Sequence, residues 1–457
     1  MHLVVNKNVF MLFPRLPELL NQEISLFEKS HPKSKDQSKN STGSLLAGVP
    51  MPWMKRWAGP FPIVAANAAG GSITDIDGNV YVDFCLGDTG AMIGHSSPEV
   101  SAAISSQSRN GLTTMLPSQD IAWVADHLSS RFGLPKWQFC LSATDANRFS
   151  LRIARQLTGR SKVVVNDWCY HGTVDETLVI LDENNKTVSR PGAIGPQVNP
   201  EITTRAVPFN DLGALEDALK IGDVACVLME PALTNIGIVL PALGYLAGVR
   251  RLTTQYDVLL IMDETHTICA GPNGASRLWG IEPDMLVIGK TIGGGVPVAA
   301  YGMSQHVASR VEMLMKGHDL DVSGIGGTLS GSALSAAAMK ATLQNSLREE
   351  DFAISIPLAT RWSEAVQSVI NRYSLPWTVQ QLGCRAEYWF AEHPTNGAQA
   401  AATVDDALES FMHLWALNRG VLLTPFHNMA LMTPHHSEAN VDQHSEIFEQ
   451  AVKVLVE

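Results

Sequence analysis

Two residues near the middle of the chain have the type and setting for covalent chemistry. Asp263 follows the apolar run Leu259 to Met262, and Lys290 follows the apolar run Met285 to Ile288. Short apolar runs between helical stretches read as buried parallel strands, and ligands of parallel α/β sheets sit at the carboxyl ends of the strands. A carboxylate and an amine at two such ends can therefore face one pocket. The lysine can form a Schiff base with a carbonyl and the aspartate can pair with a pyridinium nitrogen, which are the two groups that pyridoxal phosphate (PLP) requires. Gly293, Gly294 and Gly295 come just after the lysine, leaving space for a planar group to approach the backbone.

A phosphate needs donors as well. Ser142-Ala143-Thr144-Asp145-Ala146 follows the run Phe139-Cys140-Leu141 and opens a strong helical pattern through Gln156. The N–H groups of that helix start, with the Ser142 and Thr144 hydroxyls, make an anion site; the same residues also read as an ordinary capped helix. Tyr170, in Trp168-Cys169-Tyr170-His171-Gly172, follows the next apolar run, Lys162 to Asn166. It offers either a stacking face for a cofactor ring or a packing residue in a turn.

The elements that must position these residues follow from the hydrophobic pattern. From Ser97 to about Ser335, helical stretches alternate with short apolar runs that also include Ala225 to Met229, the pattern of an α/β sheet with crossover helices. Ser72 to Phe84 alternates around Asp77-Gly78 and predicts a hairpin. An amphipathic helix is expected around Leu16 to Lys29, then a flexible polar linker over residues 31–44. An Ala-rich helix after Ser332 leads into a mixed α+β tail. The expected organisation is an N-terminal arm with part of a small domain (1–85), a large domain with a mainly parallel central sheet (86–335), and the rest of the small α+β domain (336–457).

Composition removes several classes of function. Of 457 residues, 45% are hydrophobic and 17% charged, so the chain is not disordered. A net charge of −12 argues against nucleic acid as a partner. No apolar run reaches the roughly 18 residues of a membrane span, and no membrane partner is expected. The six cysteines include no Cys-x-x-Cys pair, which speaks against a zinc knuckle and for a reduced, cytoplasmic setting. Met1 to Arg15 makes a poor secretory signal and reads as an arm packing on the protein or on a partner subunit. Asp263, Glu264 and His266 lack further nearby ligands, so no metal is expected. His435 and His436 read as solvated loop residues.

Taken in order, the motifs resemble those of class III aminotransferases of fold type I, the group that includes ω-transaminases and glutamate-1-semialdehyde aminomutase. The resemblance runs from about Pro60 to Val456. The family's Ser-Gly-Thr-Glu-Ala phosphate loop is Ser142-Ala143-Thr144-Asp145-Ala146, and its Tyr/Phe-His-Gly is Tyr170-His171-Gly172. Its Glu-Pro with a following Asn is Glu230-Pro231 with Asn235, and its Asp-Glu-Val is Asp263-Glu264-Thr265. Its Gly-Lys-x-Ile-Gly-Gly-Gly is Gly289 to Gly295, and its Gly-Thr-x-Ser-Gly is Gly327 to Gly331. The resemblance implies that Lys290 carries the cofactor and acts as general base, that Asp263 pairs with the pyridine nitrogen, and that Tyr170 stacks on the ring. It implies further that Thr265 packs beneath the ring and that Thr328 reaches the phosphate of a neighbouring subunit. A homodimer, or a tetramer, is therefore expected.

The departures shape the functional expectation. Thr265 replaces the usual Val, and His266-Thr267-Ile268 replaces the residues leading to Gly-Phe-Arg, so a hydroxyl and an imidazole enter the cofactor's surroundings. Asp88 and Thr89 stand where relatives often carry an aromatic, which hints at a polar or charged ligand. Arg385 could clamp a substrate carboxylate or pair with an acid on a neighbouring strand. Trp53, in Met51 to Met54, and His427, beside Phe426 and Asn428, are further candidates for the substrate pocket. The stretch from His171 to Asn210 lacks a Gly/Ser-rich gating loop associated with the aminomutases. The expected activity is thus ping-pong transamination between an amine or amino acid and a 2-oxo acid or aldehyde. The alternatives are aminomutase, racemase or lyase chemistry on the same scaffold, or a binding protein that retains the fold.

Overall fold

The computed structural model describes residues 12–194, 198–316 and 322–457. The first eleven residues of the expected N-terminal arm lie outside this range. The chain divides into two compact units, one of residues 98–349 and 394–402, the other of residues 1–97, 350–393 and 403–457.

In the larger unit, seven strands among the described residues form one sheet: Lys136–Cys140 (β1), Lys162–Asn166 (β2), Thr204–Val207 (β3), Val224–Met229 (β4), Leu259–Asp263 (β5), Met285–Ile288 (β6) and Ala299–Met303 (β7). Their order across the sheet is β1-β7-β6-β5-β4-β2-β3. The β6/β5, β5/β4, β4/β2 and β2/β3 pairs are parallel, and β7 is antiparallel to both its neighbours. Every residue of β4, β5, β6 and β7 is buried. This is why these strands read as unbroken apolar runs rather than as alternation: helices cover both faces of a parallel sheet. Helix α1, Ala143–Thr158, buries Ala146, Phe149, Leu151, Ile153 and Ala154 and ends at Gly159 in the left-handed region (φ 68°). Helix α2, Ala333–Asn345, is the Ala-rich segment; its small side chains pack closely against helices Pro98–Ser108 and Gln119–Phe132.

The limits of the units differ from the expected 86 and 336 for local reasons. Residues 86–97 stay with the smaller unit because His95 exchanges backbone hydrogen bonds with Gly70 and places Nε2 2.7 Å from Asp83 Oδ2. Helix α2 stays with the larger unit through its packing partners.

The smaller unit contains the expected hairpin, with strands Ser72–Asp75 and Val80–Asp83 around Asp77-Gly78. Its other sheet joins Thr378–Leu382, Arg385–Trp389 and Met429–Leu431. The N-terminal helix spans Leu16–Ser30, buries Leu16, Leu19, Leu20 and Phe27, and packs against helix Asp406–Leu417. Arg419 donates to the buried Glu23 carboxylate at 2.9 Å.

The expected linker over 31–44 is instead largely helical, over Pro32–Ser41. The polar composition hid two start signals. Pro32 presets the first helical φ, and the carboxylate of Asp77, from the hairpin turn, accepts from the Lys33 and Ser34 N–H groups at 2.7 and 3.0 Å and from the Ser34 hydroxyl at 2.7 Å. A cap supplied from far along the sequence leaves no local trace. Asp77→Ala should cost about 0.5–2 kcal/mol, and hydrogen exchange should show residues 32–41 losing protection before the rest of the unit. His436 also departs from expectation. It is buried against Phe84, with ring centroids 4.7 Å apart, while His435 is exposed.

Candidate active site

The chemistry-bearing residues of the larger unit collect at the carboxyl ends of its parallel strands. Ser142 and α1 follow β1, Tyr170 and His171 follow β2, Glu230 follows β4, Asp263 ends β5, and Lys290 follows β6. The register places Asp263 opposite Val287 on β6, three residues before Lys290.

Asp263 is buried and fully engaged. Its Oδ1 accepts from the Thr265 N–H at 3.0 Å and from the Thr265 hydroxyl at 2.6 Å. Its Oδ2 lies 2.8 Å from Asn147 Nδ2 and 2.9 Å from His171 Nδ1. Burial alone would raise the Asp263 pKa, but the hydrogen bond and charge of His171 and the Thr265 and Asn147 donors hold it down, to about 2. The imidazole of His171 is shifted the other way. Burial opposes its charged form, and contacts with Cys169 and Asp263 favour it more strongly. A carboxylate that stays anionic inside the protein is suited to keep a proton on a basic ring nitrogen. Thr265 was expected beneath the ring; its hydroxyl is committed to Asp263.

Lys290 is half-buried, takes φ 51°, and brings Nζ within 2.8 Å of His266 Nε2. A lysine in the left-handed region is uncommon and marks a backbone held by its surroundings. Those surroundings correct the reading of the glycines. A Cβ on Gly293 would lie 2.6 Å from Val298 Cγ1, and one on Gly294 would lie 2.6 Å from Thr342 Oγ1 and 3.0 Å from Val100. These two glycines make room for the protein's own packing rather than for a ligand. Only Gly295, with φ 101°, faces open space. Gly289 is tight as well, because its Cβ would come within 3.2 Å of the Ala143 Cβ. The lysine turn and the start of α1 are therefore neighbours.

At that start, Ser142 Oγ accepts from the Asp145 N–H at 3.3 Å and donates to Asp145 Oδ2 at 3.0 Å. It is an N-cap, as one of the two readings had it, and the first-turn N–H groups still point past the helix end. Thr144 Oγ1 accepts from the Thr173 N–H at 3.1 Å, and a Cβ on Gly172 would lie 2.1 Å from that oxygen. Gly172→Ala, at φ 78°, should therefore push Thr144 aside; titration with PLP should show affinity weakened by about tenfold or more, a cost of roughly 1–3 kcal/mol.

Tyr170 remains 38% exposed, as a stacking face requires. Glu230 is buried and accepts from the Thr234 hydroxyl, and Asn235 Nδ2 donates to the Trp168 carbonyl at 3.4 Å. Thr328 is exposed. The four substrate candidates belong to the smaller unit. Arg385 is 1% exposed, with Nη2 3.6 Å from Glu387 Oε2, and His427 Nδ1 lies 3.2 Å from Glu387 Oε1. Glu387, an acid facing Arg385, is two residues along the same strand, where side chains share a face. Trp53 meets Phe426 edge-on at 6.0 Å. Asp88 lies in a run of four left-handed residues, Leu86 to Thr89.

Two contributors escaped the sequence reading. Asn147 binds Asp263 and the His171 carbonyl (3.2 Å); its only signal was a polar residue on the apolar face of α1. Glu264 is buried, with burial raising its pKa. It accepts from the Thr267 hydroxyl and the Ala275 and Ser276 N–H groups, locking the turn after β5.

The arrangement fits PLP. Amide donors at a helix start suit the phosphate, an exposed tyrosine suits a ring face, a buried anion suits the pyridine nitrogen, and a lysine amine suits the aldehyde. Among the described residues no three His, Cys, Asp or Glu side chains converge as a metal site would need.

Comparison with known proteins points the same way. The family model for class-III aminotransferases matches residues 53–452. A glutamate-1-semialdehyde 2,1-aminomutase of Chloroflexus aggregans is 32% identical over 415 residues, covering 88% of this chain and 92% of the relative. A crystal structure of a glutamate-1-semialdehyde-aminomutase from Pseudomonas aeruginosa PAO1 is similar with TM-score 0.95 and 45% identity, covering 97% of this chain and 99% of that one. A lysine-to-alanine variant from the same organism was solved in complex with PMP. An omega-transaminase from Sphaerobacter thermophilus is similar with TM-score 0.83 and 25% identity, covering 92% and 97%.

Proposed function

We propose that this chain, which belongs to the class III aminotransferase family and uses PLP, is an aminomutase that moves the amino group of glutamate 1-semialdehyde from carbon 2 to carbon 1. The observation that carries this reading is similarity along nearly the whole chain, at 45% identity over 97% of it, to a protein described as that aminomutase. The preference for intermolecular transamination drawn from the sequence rested on a missing Gly/Ser-rich loop. The strands Val179–Leu181 and Thr187–Ser189 form a hairpin in that stretch, and a loop's composition is weak evidence beside similarity of this extent.

When bound, the cofactor supplies an electron sink for charge developing on the carbon beside the transferred nitrogen. Lys290 Nζ takes and returns the proton at that carbon. Asp263 keeps the ring nitrogen protonated, while His171, Asn147 and Thr265 hold its carboxylate in place. Ser142, Ala143 and Thr144 hold the phosphate, with Thr328 supplied by a second copy of the chain. The exposure of Thr328 supports that dimeric arrangement. The six buried cysteines form no disulfide, and no helix among the described residues is long and apolar enough to cross a membrane; both suit a cytoplasmic enzyme.

The test is to supply glutamate 1-semialdehyde alone to the enzyme in its amino-cofactor form. The expected product is its isomer, 5-amino-4-oxopentanoate, with no oxo acid required. Conversion only with stoichiometric consumption of a 2-oxo acid would overturn the mutase reading in favour of transamination.

A further inference from the structure

We propose that Gly397 is a positioning residue for the cofactor's ring face: it lets its segment press so closely on the turn after β2 that Tyr170 is held in place. The proposal rests on Tyr170 as the ring's stacking partner and holds for either kind of amino transfer. Residues 394–402 belong to the larger unit, although the chain on either side of them belongs to the smaller one. There Gly397 meets Asp167 and Trp168, which lead into Cys169-Tyr170-His171. A Cβ on Gly397 would overlap the Asp167 carbonyl oxygen and lie 2.9 Å from Trp168 Cβ and 3.1 Å from the Asp167 carbonyl carbon. A backbone carbonyl cannot turn aside as the end of a flexible side chain can, so added bulk must move one segment or the other.

The pressing segment is well fastened. Asn210 Nδ2 donates to the Thr395 carbonyl at 2.9 Å, and Asn210 is itself tied to the Leu240 carbonyl (3.0 Å) and the Ala242 N–H (2.7 Å). The helix Gly397–Ala401 starts with reciprocal caps. Asn396 Oδ1 accepts from the Gln399 N–H at 2.9 Å, while Gln399 Oε1 accepts from the Thr395 N–H and hydroxyl, each at 2.9 Å.

The turn is held as well, but under strain. Trp168 takes φ 62°, a left-handed backbone that is rare for a bulky residue and persists only where its surroundings impose it. Asn235 donates to the Trp168 carbonyl at 3.4 Å, Arg190 donates to the Cys169 carbonyl and lies 5.9 Å from the centre of the Trp168 ring, and Gly397 bears on Trp168 Cβ. Bulk at position 397 is therefore relieved by release of the turn, which sheds strain, rather than by retreat of the segment, which would break its caps. Tyr170, two residues after Trp168, moves with the turn. Gly397 has a helical backbone, where alanine is the better former, so Gly397→Ala tests the contact alone.

The experiment uses the full-length protein carrying Gly397→Ala, Tyr170→Leu or both. In the cofactor-free proteins, hydrogen exchange should be faster over residues 167–173 in Gly397→Ala, while residues 394–402 keep their protection. Titration with PLP should show affinity about three- to tenfold weaker, the worth of one aromatic stacking contact. The circular dichroism of the bound cofactor at saturation should also change, which a general loss of stability would not cause. The double variant should bind PLP no more weakly than Tyr170→Leu. Gln399→Ala, which unfastens the segment without adding bulk, should likewise speed exchange over 167–173, and unchanged exchange there would count against the proposal. Losses that add in the double variant, or exchange in Gly397→Ala that rises over 394–402 and not over 167–173, would overturn the proposal alone. Tyr170→Leu binding PLP as tightly as the unmodified protein would overturn the stacking role and the proposal with it.

Discussion

Lys290→Ala should abolish covalent retention of the cofactor and lower turnover by about 10²–10⁴-fold or more, the contribution expected of a positioned general base. The purified variant, incubated with PLP, should show no cofactor fixed to the chain after borohydride reduction and intact-mass measurement, whereas the unmodified protein gains one reduced cofactor per chain. The phosphate cradle at the start of α1 is untouched, so the variant should still bind PLP reversibly. A variant that keeps normal turnover would remove Lys290 from the chemistry altogether. The side chain is only half-buried, so thermal unfolding of the two cofactor-free proteins should differ little.

Asp263→Asn should cost both activity and stability, because Asp263 serves the cofactor on one side and a buried network on the other. Removing one member of a buried charged pair typically costs about 3–5 kcal/mol, since the partner is left uncompensated; here that partner is His171. The pH dependence has a definite sign. The Asp263 pKa is lowered in the folded protein from an ordinary 3.8, so its contribution is present above about pH 4 and disappears as pH falls toward 2. The His171 pKa is raised from an ordinary 6.5, so its contribution is fully present below that value and is lost as the pH climbs through the raised pKa. The gap in melting temperature between the unmodified protein and Asp263→Asn should therefore be widest between about pH 4 and 6.5 and should narrow on either side. A gap that stays constant with pH would mean that the pair does not carry the stability assigned to it.

What could be read in the sequence follows from how locally each feature is encoded. Strands β2, β4, β5 and β6 were visible because burial on both faces demands unbroken apolar runs, and Asp263 and Lys290 because they interrupt such runs at the carboxyl end. The start of α1 was visible because a cap and a helical period adjoin. Features that depend on two distant segments were not. The helix Pro32–Ser41 depends on the Asp77 carboxylate, and Asn147 matters only because α1 brings it to β5. The pairing of Arg385 with Glu387 could not be identified because the same alternation is compatible with an acid on either strand. The glycines after Lys290 were conspicuous, yet their reason lies in Val298, Val100 and Thr342, which no spacing rule connects to them.

The smaller unit is assembled from three stretches of chain, residues 1–97, 350–393 and 403–457, and this imposes an order on biosynthesis. The helix Leu16–Ser30 emerges with Leu16, Leu19, Leu20 and Phe27 ready for burial, but the helix Asp406–Leu417 against which it packs is made much later. At about 5–20 residues per second of translation, the wait is roughly 20–80 s. Throughout that interval most of the larger unit, residues 98–349, can fold as it is made, while the helix Leu16–Ser30 presents an apolar face to solvent and to any chaperone near the ribosome exit. The bond from Arg419 to Glu23 can close only once the segment carrying Arg419 has been made.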